Sequence, residues 1–217
     1  MQPLNVIVAG EESGTERDAF AALGHNAWSC DLKRSRRPGQ HYHGSWRDVF
    51  WESFDIGILH PECTHTAVSG ARWFPQKRAD GRQQAAIAEF MWLATEPKRR
   101  NPNIGTCVEQ PVSIMSTLYR KPDQILQPWM FGRWETKALC FWLENLPLLV
   151  PLYRTLDEAR EALGLPSDAI PEQKVWKMAP TKDPEDRKAA RAESFPEVAA
   201  AQARQWGGLV EAAREAA

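Results

Sequence analysis

The sequence predicts an α/β fold of Rossmann-like type, a mixed sheet with helices on both faces. Two observations at the N-terminal end predict it. Leu4-Asn5-Val6-Ile7-Val8-Ala9 is a short, β-branched apolar run that leads into a glycine-containing turn over residues 10–15. Residues 16–23 then carry helical spacing through Phe20 and Leu23 and stop at Gly24, after which residues 27–31 read as a second strand ending on Asp31. Strand, turn, helix, strand and acid open a nucleotide-binding parallel sheet, in which the acid accepts hydrogen bonds from ribose hydroxyls.

The later elements follow in order. Lys33 to Gln40 is a basic loop, and Phe54 to Leu59 is a third strand running directly into His60-Pro61-Glu62-Cys63-Thr64. Residues 65–79 read as a loop. A helix is expected over 81–94, with Ala86, Ile87, Phe90, Met91 and Leu93 inward, followed by a charged linker at 97–102. Residues 103–109 form the next strand and end in Glu109-Gln110-Pro111. Residues 124–129 and 138–143 read as two strands whose short connection makes them an antiparallel pair closing the sheet. A short helix at 156–163, a polar surface segment at 166–188 and an alanine-rich helix at 196–217, interrupted by Gly207-Gly208, complete the chain. The expected division is an α/β domain over 1–165 and a C-terminal segment over 166–217 that packs back on the cofactor side.

Composition narrows the class. At 217 residues the chain is one domain with at most a small appendage. No apolar run approaches the roughly 20 residues of a membrane span, and no signal-peptide pattern opens the sequence. The cysteines (Cys30, Cys63, Cys107, Cys140) lack paired spacing, so reduced thiols and a cytoplasmic setting are expected. A net charge of −1 excludes a globally basic nucleic-acid binder. Two local clusters, Lys33-Arg34-Arg36-Arg37 and Lys98-Arg99-Arg100, are either solvated loops or phosphate contacts. His41, His43, His60 and His65 lie near Cys63 in sequence, but their spacing matches no closed zinc site, and no metal is expected.

Three strand ends carry polar chemistry: residues 10–15, His60 to Cys63, and Glu109 to Pro111. Ligands bind at the carboxyl ends of strands in open α/β sheets, so these positions converge. A thiolate there can attack a ring carbon, while a carboxyl group stabilises the ring nitrogen that becomes more basic.

With those residues in place, the chain resembles the cytosine-5 DNA methyltransferases, most closely short phage-type members. Ala9-Gly10 through Gly24-His25 resembles the family's first motif, Pro61-Glu62-Cys63 its Pro-Pro-Cys motif, and Glu109-Gln110-Pro111 its Glu-Asn-Val/Pro motif. Residues 131–139 resemble its arginine-bearing late motif, and residues 191–207, centred on Ser194-Phe195-Pro196, its final one. The resemblance implies the S-adenosylmethionine-dependent methyltransferase fold, with methyl transfer to carbon 5 of cytosine through a Cys63 adduct. It implies Glu109 and Lys137 as the catalytic partners of Cys63. It implies S-adenosylmethionine at Ala9, Gly10, Glu11, Ser13, Gly14, Asp31, Ser45, Trp46 and His60, and substrate at Pro61, Glu62, Gln110, Pro111 and Arg133. The implied partner is DNA, single-stranded or duplex read with little context, or a pyrimidine nucleotide.

The chain departs from the family at several of these positions. Glu62 replaces a proline beside the thiol and raises its pKa unless a cation such as Lys137 compensates. Gln110 replaces an asparagine, Ser45 an aspartate, and Glu135 and Leu139 a glutamine and an arginine. Two further readings stay open: related carbon-5 chemistry on a modified base or free nucleotide, and a nucleotide- or nucleic-acid-binding module without turnover.

Overall fold

The computed structural model describes residues 2–173 and 193–215. Its centre is a seven-stranded sheet in the order β3-β2-β1-β4-β5-β7-β6. The strands are β1 (Asn5–Ala9), β2 (Asn26–Asp31), β3 (His41–His43), β4 (Ile56–Leu59), β5 (Gly105–Gln110), β6 (Gln124–Leu126) and β7 (Leu139–Glu144). β1 to β5 run parallel, whereas β7 lies antiparallel between β5 and β6. The α/β class, the mixed sheet and the closing antiparallel pair are as the sequence predicts.

Strand periodicity sorts the core onto two faces. In β1, Val6 and Val8 join Phe20, Ile56, Ile58, Phe141 and Trp206 on one face, while Ile7 and Ala9 join Trp51, Leu59, Phe90 and Trp142 on the other. The first face is covered by α1 (Thr15–Ala21) and by the C-terminal helix, here α6 (Pro196–Glu215). The second is covered by α3 (Arg82–Arg100). Both faces being buried explains why β1 and β4 read as continuous apolar runs rather than alternating ones.

Several expected boundaries are corrected. α3 continues through Pro97 to Arg100 instead of ending near Ala94. Pro97 is itself buried, and Glu96 pairs with Arg99 at 2.6 Å and Arg100 at 2.9 Å, which holds the last turn. Met91, expected inward, is 36% exposed, and Ile87 is only half-buried. Residues 65–79 are no loop: Val68–Trp73 forms a 3-10 segment that feeds α2 (Phe74–Ala79), started by a proline in its first turn. β6 stops at Leu126 because Pro128 opens a 3-10 turn at Pro128–Phe131. β3 was not foreseen; it is a short, largely exposed edge strand. Two shorter helices, α4 (Met115–Leu118) and α5 (Leu156–Ala162), complete the elements. The polar segment expected at 166–188 lies outside the described residues from 174 onward. Among the described residues no helix is long and apolar enough to cross a membrane.

Gly207-Gly208 does not interrupt α6. Gly207 is there because a Cβ would meet the Nε2 of buried His25 at 2.6 Å, while nothing lies within 4 Å of one on Gly208. Gly207→Ala is therefore expected to lower unfolding stability by about 1–3 kcal/mol through overpacking. Gly208→Ala should raise it by roughly 0.5–1 kcal/mol through helix propensity. Urea denaturation of the two variants checks the contrast, and equal effects would contradict the close packing of α6 on His25.

Candidate active site

The carboxyl ends of β1, β4 and β5 meet as the topology requires. Gly10 follows β1 with φ +83°, and a Cβ there would sit 2.3 Å from the His60 carbonyl oxygen. Only glycine allows β1 and β4 to leave the sheet so close together. The His60 N–H donates to the Ala9 carbonyl at 2.8 Å, which locks this approach.

The turn into α1 is organised by Glu11. Its carboxyl group accepts from the backbone N–H groups of Glu16 (2.7 Å) and Arg17 (3.3 Å) and from the Ser13 hydroxyl (3.0 Å). Glu11 and Ser13 are each only 4% exposed, so these two expected cofactor contacts are instead turned inward to cap α1. Gly14 adopts the left-handed conformation just before the helix, facing the buried Arg17 guanidinium. Arg17 donates to Ser29, Ser35 and the Pro38 carbonyl, and so holds the basic loop against β2.

His60 stands between two carboxylates. Its Nε2 is 2.5 Å from Glu16 Oε2, and its Nδ1 is 3.2 Å from Glu109 Oε2. Both partners are acceptors, so the ring donates from both nitrogens when protonated. Burial alone would lower the His60 pKa, but the charges of Glu16 and Glu109 and the hydrogen bonds to both hold it well above the usual histidine value. Burial opposes ionisation of Glu109, yet the His60 bond and the charges of Lys137 and His60 outweigh it and hold Glu109 below the usual carboxylate value. The other Glu109 oxygen, Oε1, is buried with no hydrogen-bond partner among the described residues.

Glu16, His60, Glu109 and Lys137, with Leu139 and Phe141, line a small cavity of about 20 Å³, enough for a water molecule and too small for a nucleobase unless it widens. Ser194, Phe195, Val198 and Gln202 close its other side. Gln202 is buried, and among the described residues neither its amide nitrogen nor its oxygen has a hydrogen-bond partner.

Cys63 sits beside this cavity without lining it. Its pKa is pushed up to about 11 by burial first and then by the charges of Glu109 and Glu62, while Lys137 pulls it down. The effect foreseen for Glu62 is thus present, but burial exceeds it. The loop is tied to β5 by Gln110, whose amide donates to the Pro61 and Glu62 carbonyls at 3.3 and 3.4 Å and accepts from the Thr66 hydroxyl at 3.2 Å. Pro111 follows, and the next residue, Val112, accepts from the Val68 N–H at 3.0 Å, closing the loop from its far side. Glu62 itself bonds the Thr64 N–H through its side chain and the Glu89 carboxylate through its backbone.

The remaining expected positions are spread around this centre. Asp31 ends β2 half-buried and accepts from the Lys33 N–H at 2.8 Å. Ser45 caps the 3-10 turn at Trp46–Asp48, and Trp46 packs on Trp92 with centroids 4.8 Å apart beneath the Arg47 guanidinium. Arg133 is held by Glu135 at 2.7 Å and Glu197 at 3.8 Å, bracing the base of α6, and does not line the cavity. His41 and His43 turn to the carbonyls of Lys33 and Leu32, away from His60. Among the described residues no group of three or more His, Cys, Asp or Glu could hold a metal ion.

The basic clusters face acids. Lys33 and Arg36 lie at 3.6 and 3.8 Å from Glu12, and Arg37 at 3.2 Å from Glu193. Lys98 pairs with Glu144 at 2.5 Å, and Arg99 and Arg100 share Glu96. These pairs weaken both clusters as phosphate contacts.

Glu16 and Gln202 were missed from the sequence. An acid in a first helical turn is ordinary, so nothing marks Glu16. Gln202 carried a signal: it lies between Val198 and Trp206 at four-residue spacing, a lone amide on an apolar stripe. No protein-family model matches the chain, and no curated protein matches it.

The Glu11 carboxyl pKa is pushed up to about 7 by burial and the Glu16 charge, against its backbone hydrogen bonds. Its folded value exceeds the unfolded one, so the penalty is absent below about pH 4.5 and grows as pH rises through 7. A Glu11→Gln variant, which cannot ionise, should gain stability over the wild type by about 2–3 kcal/mol on going from pH 5 to pH 8. Urea denaturation at the two pH values decides; parallel pH dependence in both proteins would remove Glu11 as its source.

Proposed function

We propose that the chain transfers a methyl group from S-adenosylmethionine to carbon 5 of cytosine through a covalent adduct at Cys63. The observation that carries the reading is the meeting of Cys63, Glu109 and Lys137 at the strand ends beside the Gly10 turn. The strand order supports it too: a doubly wound sheet with one reversed strand, β7, set between β5 and β6 is the arrangement expected of the methyltransferase fold.

The residues present fit the cofactor. Glu11 already occupies the first amides of α1, where a dinucleotide phosphate would otherwise sit. Acids at the strand ends, with Asp31 at the end of β2 and Glu16 in the cavity, suit a ligand that carries sulfonium and ammonium charges and ribose hydroxyls. The unpartnered Gln202 amide suits a polar group in the same place. The Gly10 and Gly14 backbone, Asp31 and Trp46 would hold the cofactor, which supplies the methyl group when bound.

This chain's own groups supply the rest. The Cys63 thiol passes its proton to the ionised Glu109 and its sulfur bonds carbon 6, while Glu109 hands that proton on to ring nitrogen 3. Lys137 favours both the thiolate and the ionised Glu109 between turnovers. After methylation, water takes the carbon 5 proton, the sulfur leaves carbon 6 as the thiolate, and the nitrogen 3 proton returns to Glu109. In a duplex, access to the ring face requires the cytosine to leave the stack. The cavity must widen to admit the ring.

The high Cys63 pKa favours a second reading, a module that binds nucleotide or nucleic acid without turnover. Two measurements separate them. Methyl-labelled S-adenosylmethionine, offered with single-stranded DNA, duplex DNA and cytosine nucleotides, is expected to label one substrate class, with all label lost in Cys63→Ala. No transfer by folded protein would sink methylation. In the free protein, alkylation of Cys63 by iodoacetamide should keep accelerating up to about pH 11, and Lys137→Met should slow it at pH 9. A rate that levels off below pH 8 would mean an activated thiol in the resting site.

A further inference from the structure

Three elements converge on one imidazole. Glu16 comes from the first turn of α1, His60 from the end of β4 and Glu109 from β5. The Glu16–His60 and His60–Glu109 contacts, 2.5 and 3.2 Å, form a chain of three ionisable side chains leading to Glu109 Oε1, a buried carboxylate oxygen without a hydrogen-bond partner among the described residues. All three side chains are largely enclosed, at 4, 16 and 15% exposure. A carboxylate left to itself in such a place would swing to satisfy both oxygens; here the ring commits Oε2 and leaves Oε1 over.

We propose that Glu16 and His60 are positioning residues for Glu109: Glu16 holds His60 protonated and oriented, and His60 fixes one Glu109 oxygen while serving as the reserve from which Glu109 recovers a proton. This rests on the cytosine reading for its role in turnover. The step balances. Glu109 rests ionised and takes up the proton of the attacking Cys63 thiol at Oε1. As it gives that proton to nitrogen 3 of the ring, the imidazolium Nδ1–H moves to Glu109 Oε2 and the imidazole is left neutral, with its Nε2–H still donated to Glu16. Elimination runs the transfer backwards and restores the imidazolium. Glu16 matters because a neutral imidazole bearing its hydrogen on Nε2 has nothing left to donate to Glu109.

The groups around the ring all act on its charge. Glu11 from the β1–α1 turn, Glu16 from α1 and Glu109 from β5 favour the protonated form. Lys137, ahead of β7, acts on Glu109 from the far side. Cys63, Cys107 and Cys140 complete the titratable surroundings, and the α6 residues facing the cavity are uncharged. The net direction for His60 is upward.

The test combines two readouts on full-length protein. Imidazole NMR of the free wild type should show His60 protonated well above pH 6.5, and Glu16→Gln should move its titration downward. In the methyl-transfer assay, Glu16→Gln should lower kcat on the order of 10- to 100-fold and shift the alkaline limb of the pH profile to lower pH, with little change in KM. His60→Gln, which keeps a donor for Glu109 but cannot titrate, should lose that limb altogether. A wild-type His60 that titrates at the ordinary histidine value overturns the proposal, as does a slow Glu16→Gln enzyme with an unmoved pH profile. Should the wild type transfer no methyl group, the cytosine reading fails. The NMR titration, which needs no substrate, then decides whether Glu16 and His60 still govern the charge beside Glu109.

Discussion

The imidazole of His60, held between Glu16 and Glu109, is the contact on which the rest of the site depends. It joins the start of α1 to the ends of β4 and β5, the three places where a parallel sheet presents chemistry. Three buried ionisable groups brought together would be costly if one of them could not take the opposite charge. Histidine can, and its raised pKa is the measure of that compensation. Remove the ring, and two enclosed carboxylates face each other across a small cavity, with Lys137, which acts on Glu109, left to offset their charge.

The same economy of charge shapes what the site can accept. A helix N-terminus ordinarily attracts phosphate. Here Glu11 has taken the first amides of α1 for itself, and its own high pKa reflects its burial first and then the Glu16 charge. The two basic clusters do not offset this, because each is turned toward acids of the same chain: Glu12 and Glu193 in one case, Glu96 and Glu144 in the other. The first amides of α1 and both basic clusters are thus already engaged by acids of the same chain, which leaves less positive charge for a polyanion at these places.

The sheet was legible in the sequence because its signals are local. The β-branched runs of β1 and β4, the turn at Gly10 and the acid closing β2 each lie within a few residues, and together they place Cys63 and Glu109 on one edge. What could not be read were partners fixed only by the fold. Glu16 resembles any acid in a first helical turn until β4 sets His60 against it. Arg133 resembles a substrate contact until the base of α6 brings Glu197 to it. Gly207 resembles a helix breaker until α6 is laid on His25, where the missing Cβ becomes a packing requirement. The continuation of α3 through Pro97 is of the same kind, since burial of the ring and the Glu96 pairs override a local stop signal.

A cavity of about 20 Å³ next to a thiol is not yet a place for a base, so the relative strength of its walls matters. The sheet side is rigid: β4, β5 and β7 are buried within the seven-stranded ladder. The body of α6 is also anchored. Trp206 is fully buried and donates to the Pro147 carbonyl, and the Gln205 amide makes paired bonds to the Val150 backbone at 2.8 and 2.9 Å. The rim at Ser194 and Phe195 is held differently. Lys137 lies 5.4 Å from the Phe195 ring, and the adjoining Glu193 is tied to Arg36 and Arg37 by contacts whose side chains are 36–45% exposed. Exposed ion pairs contribute about 0–1 kcal/mol each, and a cation over a ring at such a site about 0.5–1 kcal/mol. Phe195 also packs against the core on this face, so widening the cavity there costs that apolar contact besides these pairs, which is still less than displacing a strand or the helix body. The wall least costly to move is the one that faces Glu109 and Lys137, so the groups assigned to the chemistry are those that any opening would expose first.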